Sequence, residues 1–598
     1  MKPRLLWTVA LACGMLAAAC SDDGNESDAD AVTGEFSEVL FTPSDTADKT
    51  VSFAANTSWT ATLPSGTDWV EIAPASGEAG DATITVHLKE TEAESDRSVT
   101  ATVTAGTASA TFAITQKAPV KASAIGIAVP ATHVPLGLSM QLTITVQPAD
   151  AERETVTWSS SAPDVLEIDE TGTVTAQSEG EAVITATMGA NHAECTLTAC
   201  ETFTTDGTGR TYFLADLSRI SVSGVQNDEG ENAYLLNAGF ILADDDTLVL
   251  GDGEKLTIAG GVELRIFGTV DFTPEHSASI VSADPATAKP IYFTGDLYGG
   301  GEFRNVEVVG LPIRCFGTKG LTFENCKFSG IVSTSYGAIN LGGCEIVTVS
   351  NCEFIENSQP AVSGGSNILS PLVFKNNYLY RNSKTANNRP QINITVAGNN
   401  DVVITGNTII GPAEITTCGG IAVSNLLGLS GTNKVFIENN NISDCRYGIT
   451  TNGVMDVRII DNVLENNNQE SNPMNGGSGV SIYNSNGGQK VYMSGNTIKG
   501  HLWGVTSIGN TAKGTGPTVN MGNLTEGDDY NPGKNVFIDN GNRGVLYDLY
   551  NNSPNTVYAQ GNTWNVATQD EESIEQVIVH KNDISSLGEV IFMPAAQQ

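Results

Sequence analysis

Basic residues are scarce in this sequence. Lys and Arg together number 30 against 68 Asp and Glu, giving a formal net charge of −38 and a pI near 4.3. Nucleic-acid binding requires a basic surface, so this composition argues against it. At this charge, attraction of an anionic polysaccharide also needs either Ca²⁺ or a local basic groove.

Long apolar runs are missing after the first residues. Residues 5–19 form an apolar run that is too short to span a bilayer comfortably, and it follows the basic residues Lys2 and Arg4. The run ends in three alanines before Cys20, which resembles a bacterial lipoprotein signal. We therefore predict a signal peptide over 1–19 and lipidation of Cys20; the alternative is an ordinary signal peptide with a chance cysteine.

A polar, acidic segment follows at 20–34 and has no core-forming residues, so we predict a flexible tether. It resembles the signal that sends some Gram-negative lipoproteins to the outer face of the outer membrane. That resemblance implies a protein that is held in the outer membrane by acyl chains and faces the cell exterior.

Two of the ten cysteines lie in the signal region, and metal-ligand spacing is absent among the other eight, which form no CxxC pair. Cys195 and Cys200 lie five residues apart. On one strand their Cα atoms would be about 16 Å apart, too far for a disulfide. We therefore predict neither a metal site nor a disulfide framework.

At 598 residues the chain is too long for one core, and its first third alternates polar and apolar residues in short runs. Over 35–118 the motifs include Asn56-Thr57-Ser58-Trp59, Trp69-Val70-Glu71-Ile72 and Ile114-Thr115-Gln116. Together they resemble a BACON domain, which implies a β-sandwich that serves either for weak carbohydrate contact or as a spacer. We predict that Trp59 and Trp69 pack in the core.

A second sandwich is predicted over 122–200. Its segments include Val156-Thr157-Trp158-Ser159 and Gly172-Thr173-Val174-Thr175, and Trp158 is the predicted core tryptophan. This region resembles the bacterial Ig-like domain of group 2. Such domains usually act as stalk units, so the resemblance implies a spacer between the membrane and the rest of the chain.

From about residue 300 the sequence repeats. Aligned on one short motif, the repeats share an Asn or Cys column: Cys326, Cys352, Asn377, Asn407, Asn440, Asn462, Asn496, Asn540 and Asn562. The nine members predict at least nine coils. Stacked Asn amides can bond to one another and to the buried backbone of a turn. Cys326 and Cys352 replace Asn in the first two coils, and we expect both to be free thiols.

The residue before each member of this column is Asn, Gly or Asp, the three residue types that best tolerate positive φ. Apolar residues stand five and three positions before the column and two after it, with Asn535 as the one exception in the first of these. This pattern predicts inward side chains that stack from coil to coil. We predict a right-handed parallel β-helix over 201–598, with opening coils and a cap before residue 300 and a closing segment near the end.

The fold class is therefore all-β, with two N-terminal sandwiches followed by the β-helix. The β-helix resembles pectate-lyase-like proteins, which commonly act on long polysaccharides that lie in a groove beside the coils. A lyase needs a base and a group that neutralises a uronate, whereas a hydrolase needs two carboxyl groups that flank the bond.

Candidate site residues fall in two groups. Tyr336, Tyr447, Trp503 and Arg543 occupy one column before the next coil and are carbohydrate-binding candidates; a surface stack that stabilises turns is the alternative. The weaker catalytic candidates are Arg381, Lys384, Arg389, Arg446 and His501, and a solvated loop is the alternative for the first three. If Arg381, Arg389, Arg446, His501 and Trp503 scatter instead of sharing one concave face, this site proposal fails.

A hydrolase has weaker support. Asp444, Asp456, Asp461 and Glu465 lie in nearby coils, but no polygalacturonase-type signature is present. The acidic runs 244–246 and 526–529 make Ca²⁺ the one candidate cofactor, although neither run has a specific ligand spacing. We therefore predict a surface lipoprotein that binds or degrades a host or dietary polysaccharide, as a lyase, a hydrolase or a capture protein. The alternative is a noncatalytic adhesin or structural protein.

Overall fold

The computed structural model describes residues 29–89, 93–294, 300–368, 370–385, 389–396, 401–425 and 433–596. Cys20 and the signal segment lie outside the described residues. The chain divides into two compact units. The first comprises Met1–Ile125, Thr145–Thr155 and Met188–Asn191, and the second comprises Gly126–Ile144, Val156–Thr187 and His192–Gln598. In the part of the chain that is described, no helix is both long and apolar enough to cross a membrane.

The first unit contains a β-sandwich. Its four-stranded sheet has the order Val32–Gly34, Lys49–Ala55, Gly80–Leu88, Val70–Ala73. Its five-stranded sheet has the order Val39–Phe41, Ala108–Gln116, Arg97–Ala105, Trp59–Thr62, Ser76–Gly77. Trp59 and Trp69 are buried, and the Trp59 ring meets Phe53 edge-on with 4.9 Å between centroids. The prediction that both tryptophans pack in the core is confirmed.

The second sandwich has a sheet in the order His133–Pro135, Asn191–Cys200, Gly180–Met188, Val156–Ser160 and another in the order Ser139–Gln141, Thr173–Ala176, Leu166–Ile168. The strands Ala124–Ala128 and Thr143–Gln147 pair separately. Trp158 is half-buried against the core. Cys195 and Cys200 lie on one strand and are free thiols.

Most of the second unit is a parallel β-helix of three sheets. Sheet 1 has 14 strands: Phe203–Thr204, Phe240–Leu242, Leu264–Ile266, Ile291–Thr294, Ile313–Phe316, Ile339–Gly342, Val362–Ile368, Ile392–Val396, Ile421–Asn425, Ile449–Gly453, Ser478–Tyr483, Trp503–Ile508, Leu549–Asn552 and Ile578–Val579. Sheet 2 also has 14: Thr211–Phe213, Thr247–Val249, Thr269–Phe272, Gly300–Arg304, Lys319–Glu324, Glu345–Ser350, Ser370–Lys375, Asp401–Thr405, Lys434–Glu438, Asp456–Ile460, Lys490–Ser494, Thr518–Asn520, Val557–Tyr558 and Val590–Ile591.

Sheet 3 has 13 strands: Val225–Asn227, Ala233–Leu236, Lys255–Ile258, Ala278–Ser282, Val306–Val309, Lys327–Ser329, Glu353–Ile355, Tyr378–Tyr380, Thr408–Ile410, Asn441–Ser443, Val463–Glu465, Thr497–Lys499 and Val536–Ile538. Its first pair is antiparallel. Each coil passes from sheet 2 to sheet 3 to sheet 1, except that no sheet 3 strand of the described chain stands between Val557–Tyr558 and Ile578–Val579 in the last coil. A small hairpin joins Gly541–Asn542 to Val545–Leu546, and the two helices are Leu214–Leu217 and Glu571–Glu575.

The turn between sheets 2 and 3 contains the predicted Asn column, here called the first ladder. Asn440 is typical: its Nδ2 donates to Asn462 Oδ1 at 3.0 Å and to the Ile404 carbonyl at 2.9 Å. The residue before each rung has positive φ, for example 55° at Asn439. Cys326 and Cys352 are buried free thiols, as expected.

One rung of the prediction is wrong. The first ladder passes from Asn496 to Asn535 and then to Asn562, with Nδ2–Oδ1 distances of 2.8 and 2.9 Å. Asn540, the predicted rung, lies five residues later. The sheet 2 strand of this coil ends at Asn520, so a long loop separates it from the ladder and the apolar residues no longer precede the rung. This register also explains why Asn535 appeared as an exception.

A second ladder, which the repeat alignment does not reveal, follows five residues after the first. Its buried rungs include Asn357, Asn382, Asn467, His501 and Asn540. Asn357 Nδ2 donates to Asn382 Oδ1 at 2.9 Å, and the His501 backbone N–H donates to Asn540 Oδ1 at 3.1 Å. The turn after sheet 3 is therefore also held by side-chain amides.

Candidate functional site

Sheet 1 presents a column of mostly polar and aromatic side chains on its outer face, interrupted by Ala422. Side chains alternate along each strand, so the residues next to buried ones such as Ile339 and Ile449 face outward. In register they are Arg265, Tyr292, Arg314, Asn340, Ser363, Asn393, Ala422, Thr450, Ser481, Thr506 and Tyr550. We call this set the outer-face column. At the usual strand spacing, Arg314 and Tyr550 lie about 38 Å apart.

A groove of about 340 Å³ lies over the far half of this column. Thr450, Ser481 and Thr506 line it with hydroxyl groups. Its other lining residues are Arg446, Tyr447, Pro473, Met474, Asn475, Gly476, Ser478, Trp503, Ile508, Tyr550 and Asn552. No carboxylate is among these lining residues of the described chain. We call this feature the aromatic groove.

Trp503 is the central aromatic residue of the groove. Its ring lies 4.9 Å from the Tyr550 ring in a stacked arrangement and 4.4 Å from Tyr547. Met474, at 88% exposure, is the most exposed large apolar side chain in the described part of the chain. The groove therefore combines aromatic faces, an exposed thioether and hydroxyl groups, which suits a ligand with both apolar faces and polar edges.

Arg446 and Tyr447 reach the groove from the loop before the strand Ile449–Gly453. An Arg446 Nη2–H donates to the Asn475 carbonyl and so links two neighbouring loops. Burial raises the pKa of Tyr447, so its phenol stays protonated. Gly419 makes room for this ring, because a Cβ there would lie 2.2 Å from Tyr447 Cζ.

His501 does not face the groove. It is 1% exposed and forms a rung of the second ladder, with Nε2 3.1 Å from the Leu464 carbonyl oxygen. Desolvation by burial lowers its pKa to about 4, so the ring is neutral. The signal that could have revealed this role is its spacing: His501 follows the first-ladder residue Asn496 by five positions.

The candidates Arg381, Lys384 and Arg389 belong to other coils. Arg381 pairs with Glu356 and Glu414, and Lys384 pairs with Glu356 at 3.1 Å. Lys384 and Arg381 together lower the pKa of the Glu356 carboxyl. Of the three catalytic candidates in this basic segment, Arg381 and Lys384 are thus already paired with carboxylates of this chain.

The remaining candidates lie on several different coils. Arg389 donates to Gln359 Oε1 at 2.9 Å and to the Ser335 carbonyl at 3.4 Å. Tyr336 accepts a hydrogen bond from Arg314 at 3.3 Å. Arg543 is exposed at the tip of the small hairpin. Arg446, Tyr447 and Trp503 are brought together, but Arg381, Arg389, Arg446, His501 and Trp503 do not share one concave face.

The two acidic runs have different environments. Asp246 is buried and accepts backbone N–H groups from Gly207, Thr208 and Arg210 at 2.8 to 3.0 Å, so its carboxylate already anchors a loop. Residues 526–529 are exposed. Across the described ranges, no group of three or more His, Cys, Asp or Glu is placed to hold a metal ion.

Three family profiles match successive segments of the chain. Residues 36–119 match the viral BACON domain, 121–197 the bacterial Ig-like domain (group 2), and 312–425 the right-handed beta helix region. These matches confirm the predicted order of folds. No curated protein matches the chain.

Solved structures give weak likenesses. A Bacteroides ovatus GH5 xyloglucanase in complex with a XXXG heptasaccharide is 19% identical, with 15% of this chain and 19% of that chain covered and a TM-score of 0.13. Domains 4 and 5 of the S-layer protein SbsC are 16% identical, covering 24% and 70%, with a TM-score of 0.18. The D0-D1 domain of intimin is 15% identical, covering 28% and 97%, with a TM-score of 0.12.

Each of the three folded regions thus contains one family match, although the β-helix match covers only residues 312–425. The weak structural likenesses carry no inference about activity. The combination of the three family matches points to a surface or carbohydrate-associated protein. The chain carries, in this order, a BACON-type segment, a group 2 bacterial Ig-like segment and a right-handed β-helix.

Proposed function

We propose that the outer face of sheet 1 binds an extended polysaccharide and that the aromatic groove is its main contact. The observation that carries this proposal is the groove itself, in which Trp503, Tyr550 and Tyr447 surround the hydroxyl groups of Thr450 and Ser481. Sugar rings have apolar faces that stack on aromatic rings and polar edges that bond to hydroxyl groups.

The outer-face column supports a long ligand over a short one. Between Arg314 and the groove it presents Asn340, Ser363 and Asn393, whose amides and hydroxyl donate and accept hydrogen bonds. Asn340 Nδ2 already donates to Ser363 Oγ at 2.7 Å, so these side chains are ordered before a ligand arrives. An ordered polar row of this length suits a polymer that lies along the coils.

Capture fits the groove better than cleavage. A glycoside hydrolase needs two carboxyl groups near the scissile bond, and no carboxylate is among the described lining residues. A lyase needs a base, but Tyr447 is held protonated by burial and His501 is turned into the coil. Capture at the cell surface is therefore the proposed role, with degradation as the alternative that an assay for products decides.

The remaining regions are proposed to hold this face away from the membrane. Trp59 and Trp69 are buried, so the BACON-type sandwich does not offer them to a sugar. Lipidation of Cys20 and an outer-membrane location facing the exterior complete the proposal. Ca²⁺ enters as a candidate that bridges acidic sugars to this acidic chain.

The test is binding of the purified chain to a panel of neutral and uronate polysaccharides, with and without Ca²⁺. The Trp503→Ala variant should bind at least about tenfold more weakly, because aromatic contacts dominate such sites. Tyr558→Ala is the matched control, since Tyr558 is partly exposed on sheet 2. Lack of binding by the wild type, or unchanged binding by Trp503→Ala, refutes the proposal. New reducing ends or unsaturated products show degradation instead of capture.

A further inference from the structure

A second cluster lies on the outer-face column, away from the aromatic groove. Its centre is Arg314, whose guanidinium carbon lies 5.1 Å from the Tyr336 ring centroid, 5.8 Å from Phe316 and 6.0 Å from Tyr292. Nη1 donates to the Tyr336 hydroxyl at 3.3 Å. Phe316 is 57% exposed, so the cluster opens to solvent. We call it the arginine–aromatic cluster.

Arg314 differs from nearby arginines in its charge environment. Arg265 pairs with Glu263, and Arg304 pairs with Glu302 and Glu324. Within the described ranges, no carboxylate lies within 4.0 Å of the Arg314 guanidinium nitrogens. A half-buried cation without a carboxylate is notable in a chain of net charge −38.

A second guanidinium, that of Arg389, contacts the loop that carries Tyr336. Arg389 donates to the carbonyl of Ser335, the neighbour of Tyr336, and to Gln359 Oε1. Both of its described partners are neutral. The loop that carries Tyr336 therefore has a guanidinium on either side, and the chain supplies neither of them with a described counter-charge.

We propose that the arginine–aromatic cluster is a second binding site, which takes a carboxylate or sulfate group of the polysaccharide. The aromatic rings fix the plane of the Arg314 guanidinium, which leaves its outer N–H groups in a geometry suited to two acceptor oxygens. This inference rests on the proposed function of the same sheet face.

The position of the cluster sets the length of the ligand. Arg314 and Thr450 in the aromatic groove are separated by five strand steps in register, about 24 Å. A ligand that contacts both sites is therefore a polymer with acidic groups, and its neutral stretches lie on the amides and hydroxyl between them.

The experiment measures binding of three polymers by the purified full chain in a non-ionic detergent at one ionic strength. Polygalacturonate presents carboxylates, dextran sulfate presents sulfates, and dextran is neutral. Arg314→Gln should weaken binding of polygalacturonate or dextran sulfate about tenfold and leave dextran unchanged. The polymer that responds identifies the anionic group. Arg314→Lys keeps the charge but loses the paired donors, so its affinity for the anionic polymer should lie between those of the wild type and Arg314→Gln.

Arg458→Gln is the matched control. Arg458 lies over the Tyr492 ring at 4.6 Å, the same arrangement on sheet 2, so its loss should change binding less than twofold. Equal weakening by both variants would show a general charge effect and overturn the proposal, as would unchanged binding of both anionic polymers by Arg314→Gln. A thermal unfolding curve like that of the wild type shows that Arg314→Gln is folded.

The two proposals fail in different ways. If Trp503→Ala weakens binding while Arg314→Gln does not, the groove remains and the second site is refuted. If Arg314→Gln weakens binding of an anionic polymer while Trp503→Ala does not, the second site remains and the groove proposal is refuted. If the wild type binds none of the three polymers, the second site is refuted.

Discussion

The BACON-type sandwich and the β-helix build their interiors from different kinds of residue. Among the described residues from 36 to 119, Gln116 is the one buried polar side chain, and large apolar residues such as Trp59 and Phe41 fill the core. The β-helix buries two ladders of asparagine together with His501 and Asp548. The sandwich core is thus almost wholly apolar, whereas the β-helix buries polar side chains in hydrogen-bonded rows.

The difference follows from where the turns lie. In an antiparallel sandwich the chain reverses at the ends of the strands, where water can satisfy the turn backbone. In the β-helix each turn is covered by the coils on either side, so side chains must supply the missing donors and acceptors. Asparagine carries both in one short side chain, and its stacked copies pair with one another.

The largest expected effect comes from the apolar core. Trp59→Ala should destabilise the sandwich by about 3 to 5 kcal/mol, because it leaves a large cavity beside Phe53. The β-helix should keep its stability, since the two regions have separate hydrophobic cores. Hydrogen exchange measured segment by segment checks both halves of this expectation.

Thr60→Ala is the control, because Thr60 is exposed on the same strand. It should cost under about 0.5 kcal/mol. Faster exchange in the β-helix of Trp59→Ala would contradict the separation of the two cores.

A smaller effect is expected from one rung of the first ladder. Asn440→Ala should destabilise the β-helix by about 3 kcal/mol, because it removes a buried hydrogen-bonding side chain and leaves Asn407 without its acceptor. The urea midpoint of the β-helix transition measures the loss.

Asn441→Ala is the control for Asn440→Ala, because it removes an exposed asparagine that is not part of the ladder. Asn441 is the next residue in the chain and is exposed on sheet 3. If the two alanine variants unfold at the same urea concentration, the ladder is not a source of stability and the comparison between the regions loses its basis.

The ladder also shows what the sequence could and could not predict. Columns that obey the strand period were readable, because every coil repeats the same inward positions and the same positive-φ turn. The rung at Asn535 was misplaced because the preceding loop removes the local pattern that marks the other rungs. Insertions break a periodic signal even where the fold continues through them.

The candidate site was predictable in part. Tyr447 and Trp503 were identified because they stand at equivalent places in their coils, and Arg446 was identified because it adjoins that column. Arg314 was not, because its aromatic partners Tyr292 and Tyr336 are each 22 residues away and come together through strand pairing. The direction in which a ring or guanidinium points depends on neighbours such as Gly419, which no column of the repeat reveals.

The smallest expected effect is the response of the wild-type β-helix to pH, because two larger effects oppose each other. Desolvation raises the pKa of buried Asp548 from its ordinary 3.8 to about 7, and it lowers the pKa of His501 from 6.5 to about 4. Asn540 links them, accepting from the His501 backbone N–H and donating to Asp548 Oδ1.

The Asp548 contribution is complete below its unfolded pKa and is lost as pH rises toward 7, a change of about 4 kcal/mol. The His501 contribution is complete above its unfolded pKa and is lost as pH falls toward 4, a change of about 3 kcal/mol. The two changes have opposite signs and similar size between pH 4 and 7, so the stability of the wild-type β-helix should respond less to pH than that of either single variant.

Single variants should separate the pH dependence that Asp548 contributes to β-helix stability from that of His501. Asp548→Asn fixes a neutral side chain, so the stability of the β-helix should then rise from pH 4 to 6.5 as His501 alone titrates. His501→Asn places the usual ladder residue at this rung, so stability should fall from pH 4 to 7 as Asp548 ionises. Urea midpoints at four pH values give both slopes. If both variants keep the wild-type pH profile, folding does not shift the pKa values of Asp548 and His501. The buried polar groups of the β-helix would then ionise as freely as exposed ones, and this contrast with the apolar sandwich core would be lost.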